Sequence, residues 1–212
     1  NRITKKPGID RNEVSIQVGS WNQRRGEFDL AHSFNDKSVA IRVTGAVERA
    51  DSYRDQQLLE REALAPSVAI KLGDDTRLLI QGEYLSDRRV TDFGIPAYRG
   101  RPVDVAPGTY YGAANARDVD YSQANVSAFG FTLDHRFNDE WSVRNAFRAY
   151  DYSLDRNNTL VGSVNEVART VSLNRSNVQR QEDGYFNQTE LTQKATLAGM
   201  QHQLLYGIEI GK

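Results

Sequence analysis

Along most of the chain apolar and polar residues alternate with a period of two, the pattern of extended strands with one apolar face. Val14, Ile16 and Val18 alternate with Ser15, Gln17 and Gly19. Phe28, Leu30, His32 and Phe34 share a face, and Val39, Ile41, Val43 and Val47 do so against Arg42, Thr44 and Glu48. Val68, Ile70 and Leu72 follow, then Leu78, Ile80, Gly82 and Tyr84 against Arg77, Gln81 and Glu83. Phe129, Phe131, Leu133 and Phe137 oppose Gly130, Thr132, Asp134 and Arg136, and Trp141, Val143 and Phe147 oppose Ser142, Arg144 and Arg148. The last two stretches are Leu191, Ala195 and Leu197, then Leu204, Tyr206, Ile208 and Ile210. The pattern predicts an all-β fold, an antiparallel up-and-down meander of about nine strands. One segment, Arg54 to Ala65, has helical spacing through Leu58, Leu59 and Leu64, with Pro66 to end it.

The connections are sorted by length. Those after even-numbered strands are tight: Asn35-Asp36-Lys37, Gly73-Asp74-Asp75-Thr76, Asn138-Asp139-Glu140 and Ala198-Gly199-Met200. Asn, Asp and Gly supply the dihedrals that hairpins require. Those after odd-numbered strands are short once, at Asn22 to Arg25, and then long: about 50–66, 91–123 and 155–186. In a meander successive connections fall at opposite ends, so the tight turns gather at one end and the long loops at the other. Short periplasmic turns with long extracellular loops characterise outer-membrane barrels. The segment His32-Ser33-Phe34-Asn35-Asp36 recurs as His135-Arg136-Phe137-Asn138-Asp139, each time leading into a tight turn. Phe34, Phe137 and Trp141 there suit an aromatic girdle at a membrane boundary, or equally the core of a soluble sheet.

Composition narrows the classes. The 212 residues carry 27 basic and 28 acidic side chains in scattered order, unlike the basic stripe of a nucleic-acid binder. Mean hydropathy is -0.63 and no apolar run is long enough for a transmembrane helix. A barrel strand needs only alternate apolar residues, so this leaves a membrane barrel open. Arg42, Arg77, Arg136, Arg144 and Arg148 share a side with Glu48, Glu83 and Glu190, which suits a wet lumen or the solvent face of a soluble sheet. With zero cysteines there is neither disulfide nor thiolate chemistry. The chain has no starting Met and no signal-peptide pattern, so a mature or excised segment is expected.

No catalytic constellation emerges. His32, His135 and His202 are far apart and share no metal-ligand spacing, and there is no nucleophile elbow or phosphate-binding glycine loop. Asp118 with Asp120, and Asp151 with Asp155, read as loop and strand-edge acids. The long stretch from Phe93 through Ile95, Tyr98, Arg99, Arg101 and Pro102 to Tyr110 and Tyr111 mixes aromatics, arginines and turn residues. That composition suits either a grip on a partly aromatic, partly anionic small molecule or a self-packed surface loop.

Several segments resemble TonB-dependent ferric-siderophore receptors of the bacterial outer membrane. Asn1-Arg2-Ile3-Thr4-Lys5-Lys6-Pro7 is similar to the seam between plug domain and barrel, and Glu13 to Ser20 to the first barrel strand. Phe93-Gly94-Ile95-Pro96 with Gly100-Arg101-Pro102-Val103-Asp104 resembles an extracellular segment of the ferrichrome and ferripyoverdine branch. Leu133 to Asn145 with Tyr150-Asp151-Tyr152 resembles the hairpin after it, and His202 to Glu209 a later strand. The resemblance covers nearly the whole chain in the family's order.

It implies a barrel of about 22 strands around a plug, importing ferric siderophores with TonB-coupled energy. The expected partners are a ferric siderophore, outer-membrane lipid and, through plug sequence this chain lacks, TonB; no nucleic acid is expected. No catalysis and no resident cofactor or metal are expected, iron entering only within the siderophore. Residues 1–12 are expected to end the plug, and 13–212 to form part of the barrel. By the resemblance Phe93 aligns with an aromatic ligand contact, and Ile95 stands where some relatives have a second aromatic. Tyr98, Arg101, Tyr110 and Tyr111 join them as candidates on side-chain chemistry. The competing readings are a porin-type diffusion barrel and a soluble β-sandwich binding module.

Overall fold

A computed structural model describes residues 5–34 and 37–212. The expected seam residues Asn1–Thr4 and the turn residues Asn35 and Asp36 lie outside the described residues. The strands are β1 (Arg11–Val18), β2 (Arg24–Phe34), β3 (Val39–Ala50), β4 (Leu59–Lys71), β5 (Thr76–Arg89), β6 (Ala97–Tyr98), β7 (Arg101–Pro102), β8 (Tyr121–Arg136), β9 (Trp141–Asn165), β10 (Thr170–Leu197) and β11 (Met200–Gly211). A four-residue helix, α1 (Ala116–Val119), precedes β8. Among the described residues, nine strands form one sheet in the order β1-β2-β3-β4-β5-β8-β9-β10-β11, and β6 pairs only with β7. Every neighbouring pair is antiparallel, so the predicted meander is what the chain forms.

Register puts the apolar residues of successive strands side by side on one face. Ile41 pairs with Val68, Val68 with Ile80, Ile80 with Phe131 and Phe131 with Phe147. The last two rings stack at 5.6 Å. Yet this face is uncovered: Val14 is 70% exposed, Phe129 51% and Ile208 62%. Among the described residues only Ala31, Ala40, Val90 and Ala116 are buried apolar side chains. A β-sandwich hides such a face against a second sheet. Here all the long strands lie in a single layer, so the sandwich reading is not favoured.

The opposite face is charged, and its charges also stand in register. Arg25 faces Glu48, Glu48 faces Arg61 and Arg61 faces Asp87. Arg25 Nη1 lies 2.9 Å from Glu48, and Arg61 Nη2 lies 2.7 Å from Asp87. Arg148 reaches Glu83 at 2.9 Å further round the wall. Alternating signs directly across a sheet attract, where like signs would repel.

The structure differs from expectation in two connections and in the helical segment. The loop expected at about 50–66 is only 51–58, and no helix forms between Arg54 and Ala65: Leu59 to Ala65 is strand. Pro66 lies inside β4, opposite Val43. A proline ring normally interrupts a ladder, but a Cβ at Gly82 of β5 would sit 3.2 Å from Pro66 Cγ, so glycine makes the room the ring needs. The loop expected at 155–186 is instead the continuation of β9 and β10, which turn only at 166–169. This upper hairpin carries Asn157, Ser163, Ser172 and Asn174. Here the backbone ladder persists without the apolar period that reveals a strand. The loop expected at 91–123 runs from residue 90 to 120, interrupted by β6, β7 and α1.

A charged residue on the outward row should be far worse than one on the inner wall. Phe131→Arg is expected to cost about 2–4 kcal/mol of folding free energy in a bilayer. Thr132→Arg, one residue on and facing inward, should cost little. Denaturant titration of the protein refolded into liposomes measures both; equal costs would mean that the face assignment is wrong.

Candidate functional site

The three connections at the long-loop end, with the β9–β10 hairpin, are tied into one cap by arginine–carboxylate pairs. Arg54 in the β3–β4 connection places Nε 2.5 Å from Asp92 and donates from Nη1 to Thr109 O at 3.0 Å. Arg117 of α1 donates to Asp51 at 2.8 Å and to Gln57 O at 3.0 Å, and Asn22 donates to the other oxygen of Asp51 at 2.6 Å. Backbone bonds add to this: Asp55 N to Gly108 O at 2.9 Å, and Val90 N to Leu58 O at 3.0 Å.

The deepest tie is at the foot of β8. Asp120 is 1% exposed, and its Oδ1 accepts from Thr159 at 3.0 Å and from Arg175 Nη1 at 2.7 Å. Arg175 also donates to Val119 O at 3.2 Å, so one guanidinium from β10 closes off the end of α1. A buried carboxylate is tolerable only when paired in this way. The 90–120 loop is thereby a docked element rather than a free flap.

The six candidate ligand residues fall into separate parts of this loop. Tyr98 and Arg101 face each other across β6 and β7. The intervening Arg99 and Gly100 have φ of 51° and 78°, the left-handed values of a two-residue hairpin turn. Arg99 lies over the Tyr98 ring at 5.2 Å, and Arg101 comes within 4.0 Å of Glu166 at the tip of the β9–β10 hairpin. Phe93 is exposed and Ile95 half-buried, on either side of Gly94, whose φ is 82°. Gly94 N donates to Asp92 Oδ1 at 2.8 Å, which sets the direction of Phe93.

Tyr110 and Tyr111 are both half-buried. A Cβ at Gly112 would sit 2.4 Å from the Tyr110 ring, so glycine lets the ring lie against the backbone there. Burial pushes the Tyr110 phenol up to about 12, with the Asp120 and Asp92 carboxylates adding to the effect. Tyr110 therefore acts inside the cap as a neutral phenol, while Phe93 and Arg101 face outward. No ring contact joins Phe93, Tyr98, Tyr110 and Tyr111 among the described residues. Two hollows lie over the sheet, at Asp29 and Thr44 and at Phe131 and Arg148, and none of the six lines them.

Sequence reading did not find Arg54, Asp92, Arg117 or Arg175. Their charged partners are 38 to 66 residues away, and no local spacing carries such a signal. Asp120 was legible only as a loop acid.

The family model "TonB dependent receptor-like, beta-barrel" matches residues 64–211. The metal-pseudopaline receptor CntO of Pseudomonas aeruginosa is 29% identical over 99% of this chain and 29% of its own length. The ferrioxamine B receptor of Salmonella typhimurium is 28% identical over 97% of this chain and 30% of its own. The chain thus spans under a third of the length of these curated relatives. The crystal structure of the siderophore receptor PiuA from Acinetobacter baumannii superposes with a TM-score of 0.86 at 23% identity, over 99% of this chain and 31% of that one.

Two measurements test the cap. Arg175→Ala leaves the buried Asp120 carboxylate without its charged partner and should weaken local closure of the loop by about 1–3 kcal/mol, read as faster amide exchange in 90–120 with β2–β4 unchanged. The raised Tyr110 value means that the fold favours the neutral phenol. Its contribution is present in full below pH 10, the ordinary value, and is lost as pH rises through about 12. Ultraviolet titration should show one late-ionising tyrosine that disappears in Tyr110→Phe and titrates earlier in Asp120→Asn.

Proposed function

The chain belongs to the TonB-dependent receptor-like β-barrel family, and on that premise we propose that it is the wall and extracellular cap of an outer-membrane receptor that binds ferric siderophores and imports them with TonB-coupled energy. The observation that carries this reading is the single nine-stranded sheet, apolar and uncovered on one face and charged on the other, with every long connection at one end. In a bilayer the apolar face meets lipid and the charged face lines a wet interior. Both edge strands of the described sheet, β1 and β11, would need pairing before it could sit in lipid. That is why the reading concerns a full-length receptor of which this chain is a part.

The cap is the ligand-facing end. Phe93 offers an exposed ring to an aromatic or apolar chelate surface, and Arg101 with Arg99 offers charge to its anionic oxygens. Tyr98 holds Arg99 in place, Ile95 and Tyr111 fill the loop's interior side, and Tyr110 braces it beside Asp120. The relatives' names support a siderophore or related metal chelate as cargo.

Purified full-length receptor should bind a ferric trihydroxamate, a ferric triscatecholate or a carboxylate-type metal chelate, read by quenching of intrinsic fluorescence. Phe93→Ala should weaken binding by about five- to tenfold, the worth of one aromatic contact. A receptor that ignores all three chelates yet conducts ions steadily in planar bilayers would replace this reading with a porin.

A further inference from the structure

Ahead of β1 the chain crosses the inner wall rather than leaving it. Lys5 Nζ lies 2.8 Å from Asp29 of β2. Arg42 of β3 donates from Nη1 to Lys6 O at 3.0 Å, and Ser67 Oγ of β4 donates to Lys5 O at 3.2 Å. At the other end of the segment Asp10 accepts from Ser33 N at 2.8 Å. Six residues are thus fastened to three successive strands before the first strand begins.

The receiving groups are built for this. Arg42 grips Asp29 with two bonds, Nε to Oδ1 at 2.8 Å and Nη2 to Oδ2 at 2.7 Å, and keeps a third donor for the Lys6 carbonyl. Asp29 is 6% exposed and Ser67 3%, on a wall where most side chains are open. A carboxylate so enclosed draws three cations, Lys5, Arg42 and, at 3.7 Å, Arg11 of β1, and charge-assisted bonds of this kind are about twice as strong as neutral ones. Pro7 fixes one backbone angle, and Gly8, at a φ of 131°, makes the bend toward β1 that a side chain would strain.

We infer that Asp29 and Arg42 are positioning residues that anchor the Lys5–Asp10 segment, so that tension applied to chain ahead of Lys5 stops at the wall and does not reach β1. The inference rests on the proposed function, in which the pull of TonB is transmitted along the chain toward Lys5. Pulled from its N-terminal end, β1 would part from β2 one ladder bond at a time. The anchor lies upstream of that ladder. It sets three bonds in parallel, two of them to charged groups, against the same load.

The test uses the full-length receptor in proteoliposomes, spin-labelled through Ile9→Cys, a site 77% exposed in a chain that has no cysteine of its own. Lys5→Gln leaves the Asp29–Arg42 pair intact and removes one of the three bonds, so it loosens the segment without disturbing the wall; Asp29→Asn is the second variant. Both should raise label mobility severalfold and slow energy-coupled import severalfold with ferric-chelate affinity unchanged, and Lys5→Gln should also leave thermal unfolding of the barrel unchanged. Asp29→Glu, which keeps the carboxylate, should restore much of both. Label mobility equal to the parent's in Lys5→Gln and Asp29→Asn overturns the anchor. Increased mobility with unaltered import overturns its role in carrying force. A parent receptor that binds no chelate sinks the receptor reading instead, and label mobility still decides whether the anchor exists.

Discussion

The structure depends on one constraint: a backbone that crosses lipid must satisfy its N–H and C=O groups within the protein. An antiparallel sheet does so strand by strand, and it forces successive side chains to opposite faces. Side-chain parity is then no longer free. The row from Ile41 to Phe147 can face lipid only if every strand between them keeps register, because a slip of one residue would turn Arg42, Arg77 or Arg148 outward. Pro66 shows how tightly this binds the sequence. It gives up a ladder donor inside β4, yet register survives because Gly82 makes room for its ring.

The inner wall answers to the same register with different chemistry. Its charges are met by opposite charges on the next strand rather than left to solvent. Asp87 illustrates the economy: it receives Arg61 from β4 and Arg89 from its own strand. Exposed ion pairs are individually worth little. A ladder in register has a further effect, because each shared group holds two neighbours and less side-chain freedom is lost per contact. The result is a wall already neutralised by its own residues, with paired charges rather than a strong field of one sign.

This explains what could be read from the sequence and what could not. The alternation from Val14 to Ile210 marks the strands because one apolar face and one polar face write a period of two. Asn, Asp and Gly marked the tight turns because those positions need unusual dihedrals, as Ala198 and Gly199 do with φ of 50° and 75°. The upper β9–β10 hairpin was missed because both of its faces meet polar surroundings, so its strands carry no apolar period. Pro66 misled because the residue that accommodates it belongs to the next strand. Phe93 and Arg101 could be chosen as outward-facing chemistry, but Tyr110 looked the same in sequence and lies inside the cap. Burial, with Asp120 and Asp92 brought to it by folding, makes that difference.

The cap and the wall are continuous. Asp51 follows Glu48 by three positions, and Asp92 follows Asp87 by five, so the carboxylates that fasten the loops emerge from the strands that carry the ladder. Arg54 and Arg117 therefore bind the cap to groups that stand one and three residues beyond the ends of β3 and β5. A loop fastened to a rigid wall loses less freedom when a ligand arrives than one ordered by the ligand itself. The small β6–β7 hairpin differs, since its tie to the rest, Arg101 to Glu166 at 4.0 Å, is long and exposed. In the proposed receptor a fixed cap with one lightly held hairpin would divide the work: docking would preorganise Phe93, and the hairpin that carries Arg99 and Arg101 would adjust to the charge and shape of what it meets.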